Sequence, residues 1–158
     1  MRRRSAGLLM YRVRDGLLEV LLVHPGGPFW ARKDEGAWSV PKGEYDDDED
    51  ALAAARREFD EETGFHAGPP FIALRPVRQR SGKVIAAWAF EGDCDPAQLV
   101  SNTFELEWPI KSGKTIAYPE VDRAAWFDLV EARRKINPGQ ASMLNELESL
   151  VAPPPALR

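Results

Sequence analysis

The chain has 158 residues, a hydrophobic fraction of 44%, a charged fraction of 29% and a formal net charge of −4 at pH 7. That length and balance suit one folded domain with a full apolar core, and they exclude a disordered or fibrous chain. The single cysteine, Cys94, excludes an internal disulfide and any multi-cysteine zinc or iron–sulfur site, and the mild negative charge argues against general nucleic-acid binding.

No apolar run approaches the ~20 residues of a transmembrane helix, so no membrane span is expected. The start, Met1-Arg2-Arg3-Arg4, is basic. The apolar stretch after it is short and interrupted by Arg12 and Arg14, which reads as a strand rather than the core of a signal peptide. A cytoplasmic location is therefore expected.

Ala6–Val13 and Leu17–His24 are apolar runs separated by Arg14-Asp15-Gly16, the pattern of a hairpin. Pro25-Gly26-Gly27-Pro28 breaks the chain, and a loop with Phe29, Trp30, Arg32 and Lys33 follows. Trp38-Ser39-Val40 reads as a short strand ended by Pro41. The acidic run Asp46–Asp50 precedes Ala51-Leu52-Ala53-Ala54-Ala55, which predicts a helix with acidic residues at its positive end. It should run to Thr63 and stop at Gly64. Strands are predicted at Phe71–Leu74 and Val84–Phe90, joined by a turn at Arg80–Lys83. A loop at Asp93–Ala97, a strand at Phe104–Trp108, a basic loop at Lys111–Lys114 and a break at Tyr118-Pro119 follow. A strand at Ala124–Phe127 leads into a helix over Leu129–Ile136, and a last helix spans Gln140–Leu150. The order predicts an α/β sandwich with a mixed sheet. One domain is expected over residues 1–158, ordered from about residue 5 to 150, with a frayed tail at 151–158.

Charge is distributed unevenly. From Glu44 to Glu62 there are ten acidic residues and two basic ones, Arg56 and Arg57, so this segment carries −8 and the remainder +4. On a helix, with Glu58 at 0°, Glu62 falls at about +40° and Glu61 at about −60°. Three carboxylates thus share one arc beside the apolar residues Leu52, Ala55 and Phe59. Like charges at this spacing repel unless something positive compensates. Arg57 neutralises one of them. A hard divalent cation with oxygen ligands is the natural partner for the others, and it suits phosphoryl chemistry. A merely solvated acidic helix is the plainer alternative.

Gly43, five residues, Glu49, seven residues, then Arg57-Glu58-Phe59-Asp60-Glu61-Glu62-Thr63-Gly64-Phe65 resembles the Nudix box, G-x5-E-x7-R-E-U-x-E-E-x-G-U, at every fixed position. Pro41-Lys42 before the box adds to the likeness. The resemblance implies a Nudix-type α/β/α sandwich with a mixed β-sheet between helices. It implies Mg²⁺, with Mn²⁺ as a substitute, held by Glu58, Glu61 and Glu62 and by the backbone carbonyl of Gly43. It implies that Arg57 orients those glutamates and that Glu49 supports Arg57. A further acidic residue outside the box, as ligand or general base, is assigned to Glu120, with Glu105 and Glu107 as competitors. The choice of base between a box glutamate and Glu120 stays open.

Polyphosphate needs cations, and Lys42, adjacent to the box, is the best candidate, followed by Arg32, Lys33 and Lys114 in a set that also includes Arg78, Arg80, Lys83 and Lys111. Trp30 and Tyr118 are candidates for stacking on a base. Trp38, Trp88, Trp108 and Trp126 are expected in strands and core. The implied activity is diphosphohydrolase action on a nucleoside diphosphate linked to another group, by water attack at phosphorus. Ser5–Arg12 and Trp38–Gly43 look similar to the NTP pyrophosphohydrolase and diadenosine polyphosphate hydrolase branches. The alternatives are an ADP-ribose or sugar-nucleotide pyrophosphatase and a catalytically silent nucleotide sensor. Nucleotide or dinucleotide polyphosphates are the expected partners. Family members are often dimers, so a homodimer is also an expectation.

Overall fold

The computed structural model describes residues 4–151. The basic start before Arg4 and the expected frayed tail beyond Val151 lie outside the described residues.

Strand β1 (Arg4–Arg14) and strand β2 (Leu17–Pro25) form the expected hairpin. Asp15 and Gly16 both have positive φ, 54° and 78°. That is the backbone of a two-residue turn whose twist matches the strands, and Asp-Gly meets its demand. Strand β3 (Lys42–Glu44) pairs antiparallel with the start of β1. Strands β4 (Ile72–Arg78) and β5 (Val84–Glu91) form a second hairpin, and β5 runs parallel to β1. Strand β8 (Val121–Asp128) closes the far edge against β2. The sheet order is β4-β5-β1-β2-β8, with β3 alongside β1. It is a mixed sheet, as expected.

The continuous apolar runs of β1 and β2 follow from burial on both faces. Ala6, Leu8, Met10 and Leu21 pack with Ala54, Ala55 and Phe59 of helix α1 (Ala51–Thr63). Their neighbours Leu9, Tyr11, Val20 and Leu22 pack on the other side. There they meet Leu129 and Ala132 of helix α2 (Leu129–Lys135) and Met143, Leu144 and Leu147 of helix α3 (Ala141–Val151). The period of two along each strand thus builds two cores, one per face.

Several local expectations are corrected. Trp38-Ser39-Val40 is not a strand; Ser39 bridges Val23 and Trp38 bridges Ile136. Gln140, fully buried, ties this segment down by accepting from the Val40 N–H at 3.0 Å and donating to Ser39 Oγ at 3.0 Å. Proline at 41 ends that segment, and the strand begins one residue later, at Lys42. The acidic run does end just before helix α1, as expected, and its last member, Asp50, is the N-cap, accepting from the Ala53 N–H at 2.9 Å. Tyr118-Pro119 is not a break. It is the end of strand β7 (Thr115–Pro119), which pairs with β6 (Thr103–Glu107) in a separate two-stranded sheet. Proline is tolerated there because it sits at a strand end. Trp108 lies just beyond β6 and packs edge-on against Phe29, 5.2 Å between ring centres, so it is neither strand nor deep core.

Candidate active site

The carboxylates are positioned by α1 and by how that helix ends. Gly64 takes the left-handed conformation, φ 76°, and its N–H donates to the Asp60 carbonyl at 2.8 Å. The last carbonyls of the helix are then satisfied by a distant segment. The Val100 N–H donates to the Thr63 carbonyl at 2.9 Å, and the Asn102 N–H to the Glu61 carbonyl at 2.8 Å. The chain of main-chain bonds continues. The Glu120 N–H donates to the Asn102 carbonyl at 2.8 Å, and the Gly26 N–H to the Glu120 carbonyl at 2.9 Å. Four segments far apart in sequence are thereby laced together at one end of the sheet. Glu120 is fixed beside the helix that carries Glu58, Glu61 and Glu62.

These residues line one cleft of about 440 Å³, together with Ser5, Lys42, Gly43, Glu44, Lys83 and Asn102. A smaller cavity of about 170 Å³ adjoins it, sharing Lys42, Glu62 and Glu120 and adding Val23, Pro25, Val40 and Val121.

Arg57 organises the rim. Its Nε and Nη2 donate to the two oxygens of Glu49 at 3.0 and 3.2 Å. Its Nη1 donates to Glu58 at 2.8 Å and reaches Glu61 at 3.4 Å. This is a bidentate fork, which an ammonium cannot reproduce. The pairing with Glu49 holds Arg57 firmly charged, above the usual guanidinium range. Glu58 packs against the backbone of Gly43, where any Cβ would overlap its carboxylate.

Burial sets the electrostatics of the carboxylates. Burial pushes the Glu62 carboxyl up to about 8, with Lys42 opposing and the charges of Glu58 and Glu120 adding to the rise. Burial also raises Glu58, opposed by Arg57 and reinforced by Glu61 and Glu120. Lys42 is shifted the other way, below its ordinary value, by burial first and by repulsion from Lys83 second. The cleft is thus lined by both carboxylates and lysines, with Lys83 Nζ 3.4 Å from a Glu44 oxygen.

The donor set fits a hard divalent cation: four carboxylates line the cleft with Gly43, and burial makes two of them, Glu58 and Glu62, resist ionisation. Among the described residues, no three acidic or histidine side chains are already drawn together as a coordination sphere. Glu58 and Glu61 turn to Arg57, and Glu62 accepts from the Lys42 N–H at 3.3 Å.

Of the other predicted site residues, Lys42 lines the cleft, and so does Lys83 from the wider set of cations. Arg32, Lys33, Trp30, Tyr118 and Lys114 are not among its lining residues. Trp30 is exposed and carries the Lys33 ammonium 5.1 Å from its ring centre. Tyr118 sits in β7 against Phe104. Lys114 flanks the β6–β7 turn, where its carbonyl accepts from the Trp108 N–H at 3.0 Å. The competitors of Glu120 face elsewhere. Glu105 is exposed, and Glu107 accepts from the N–H groups of Lys111 and Gly113, closing its own hairpin. Sequence reasoning missed Ser5 and Asn102. The only signal for Ser5 was a polar residue at a strand position that should be apolar; Asn102 gave none.

The model of the NUDIX domain matches residues 1–147. The chain belongs to the NUDIX family. It is a Nudix hydrolase, with the box helix at the cleft just described. Solved structures share its fold. An Ap4A hydrolase of C. elegans, in a binary complex, is 22% identical over 94% of this chain and 96% of that one, with a TM-score of 0.61. The NUDIX domain of Shewanella oneidensis NrtR, complexed with ADP ribose, is 18% identical over 96% and 90%, with a TM-score of 0.62. The Nudix hydrolase RenU of M. smegmatis is 22% identical over 99% and 90%, with a TM-score of 0.60. No curated protein matches the chain.

Proposed function

We propose that this Nudix hydrolase is a Mg²⁺-dependent diphosphohydrolase that cleaves a pyrophosphate bond in an NTP or dinucleoside polyphosphate. The observation that carries the reading is one cleft lined by both carboxylates and lysines. Glu58, Glu61, Glu62 and Glu120 stand with Lys42 and Lys83 around one space. Carboxylates alone would repel a polyphosphate, and cations alone would bind it without activating water. In this reading Glu58, Glu61, Glu62 and the Gly43 carbonyl hold the metal. When bound, the metal supplies charge neutralisation and a more acidic water. Arg57 keeps the glutamates aligned, and Glu49 keeps Arg57 aligned. Glu120 acts as an additional ligand or as the base that takes a proton from the attacking water. Lys42 holds phosphate charge, and the fixed dipoles of the site need no reorganisation as charge develops.

The aromatic and basic residues outside the cleft fit a role with the more distant part of a long substrate. Phe29 and Trp108 pack together, Trp30 is exposed, and Arg32, Lys33 and Lys114 stand on the same two loops. The Ap4A hydrolase neighbour supports a dinucleoside polyphosphate. A second reading, an ADP-ribose or sugar-nucleotide pyrophosphatase, takes its support from the neighbour complexed with ADP ribose.

Product analysis decides between them. The protein is incubated with Mg²⁺ and diadenosine polyphosphates, NTPs, oxidised dNTPs or ADP-ribose, beside a Glu62→Gln control. Cleavage of NTPs or diadenosine polyphosphates, lost in the control, is the expected result. Cleavage of ADP-ribose alone selects the second reading. No cleavage of any compound overturns both.

A further inference from the structure

Ser5 is 1% exposed, and its Oγ has no hydrogen-bond partner among the described residues. It is the one buried side-chain polar atom left so among them. Buried hydroxyls are nearly always bonded, because an orphaned one loses its water and gains nothing in return. A chain that needed only to fold would place alanine there, as it does at the next residue, Ala6, in the same strand.

The location of Ser5 suggests what the hydroxyl is for. It lines the carboxylate cleft. In the sheet it pairs with Glu44 of β3 on one side and Ile85 of β5 on the other. The flanks of those two strands bring Lys42 and Lys83 to the same cleft. Lys83 Nζ lies 3.4 Å from a Glu44 oxygen. Two lysines and a hydroxyl without a partner thus line one space, and one kind of guest suits all three. That guest is an anion with several oxygens. A cation is disfavoured by the two lysines, and an apolar group would leave the hydroxyl orphaned.

We propose that the Ser5 hydroxyl is a substrate-positioning donor that binds a phosphate oxygen held between Lys42 and Lys83. The inference rests on reading the cleft as a pyrophosphohydrolase site. It adds a residue outside the Nudix box that sets where the phosphate chain lies relative to the glutamates. The donated bond exists only with substrate bound, so Ser5 contributes to binding and orientation and not to folding.

The test separates those two contributions. Ser5→Ala and Ser5→Thr are compared with the wild type by thermal melting without ligand. Inorganic pyrophosphate is then titrated calorimetrically in the presence of Mg²⁺. Ser5→Ala should melt at the wild-type temperature or higher and bind pyrophosphate about tenfold more weakly, the effect of one lost hydrogen bond. Ser5→Thr, which keeps the hydroxyl, should recover most of the binding. Equal pyrophosphate affinity in Ser5→Ala and wild type overturns the inference. So does a fall in melting temperature that accompanies the lost binding and is not restored by threonine. So does absence of pyrophosphate binding to the wild type. If the wild type binds pyrophosphate through Ser5 but cleaves no nucleotide in the panel above, the anion subsite stands and the proposed reaction fails.

Discussion

The Glu58 carboxylate lies against the backbone of Gly43, in space that any side chain at Gly43 would occupy. The glycine that opens the Nudix box and the first glutamate of its helix are therefore one steric unit. β3 brings the glycine, α1 brings the glutamate, and neither position tolerates a methyl group between them. Gly43→Ala should push Glu58 away from its place beside Arg57. A displacement of about 1 Å at a reacting centre costs on the order of 100-fold in rate. Steady-state kinetics with Mg²⁺ checks this; turnover within a few-fold of wild type would show that the close approach is incidental.

Arg57 offers a sharper test of geometry against charge. Its fork spans Glu49 and Glu58 at once. Arg57→Lys keeps the charge and loses the fork, so it should fall nearly as far as Arg57→Ala, each by roughly 10- to 100-fold in kcat. Rescue by lysine would reduce the role of Arg57 to charge neutralisation.

Glu62 links stability to pH. Its carboxyl sits at about 8 in the folded protein and returns to about 4.3 when unfolded. Between those values the folded state binds more protons than the unfolded state. The metal-free protein should therefore lose stability as pH rises from about 5 to 8, with the penalty complete above that range. Glu62→Gln should flatten this slope and melt higher than wild type at neutral pH without metal. Mg²⁺ should reverse the order, stabilising wild type by about 2.7 kcal/mol at 100 times its Kd and the variant by less. Melting curves at several pH values, with and without Mg²⁺, read both effects.

Glu120 is anchored by its backbone, through the N–H to Asn102 and the carbonyl to Gly26. Its side chain is thus free to act without bearing on the fold. Glu120→Gln should lower kcat by about 100-fold, a typical share for a proton-transfer group, and leave the melting temperature nearly unchanged. Near-normal turnover with Mg²⁺ would remove Glu120 from the reaction.

Much of this arrangement is legible in the sequence. Helix α1 and its stop were readable because Asp50, the alanine run and Gly64 each act on their immediate neighbours. The sandwiching of β1 and β2 was readable from runs apolar on both faces. The acidic cluster was readable because Glu58, Glu61 and Glu62 lie within one helical turn, where spacing alone dictates the face. The lysines beside it were only half readable: Lys42 stood out by its place next to the box, and Lys83 did not stand out among the other loop cations. Lys42 and Lys83 meet through strand pairing between β1, β3 and β5, and no local pattern encodes which loop cations will converge. Arg32, Lys33 and Lys114, also candidates in the sequence, are not among the cleft's lining residues. Ser5 could not be recognised, because an unsatisfied hydroxyl is a property of its surroundings. The strand β7 was hidden because Tyr118-Pro119 carries a breaker at the very position where a strand end tolerates one.

The lacing of Glu61, Asn102, Glu120 and Gly26 through main-chain bonds has an evolutionary reading. Because the links use N–H and C=O groups, side chains at Glu61, Asn102 and Glu120 can change without breaking them, whereas at Gly26 a Cβ would run into the Pro119 carbonyl, so that position stays glycine. The loop that leaves Gly26 and the β6–β7 hairpin lying between Asn102 and Glu120 are rooted at these knots. Beyond them, both excursions can lengthen, shorten or change composition without shifting the carboxylates. A lineage built on this frame can change these two excursions while inheriting the carboxylate end unchanged.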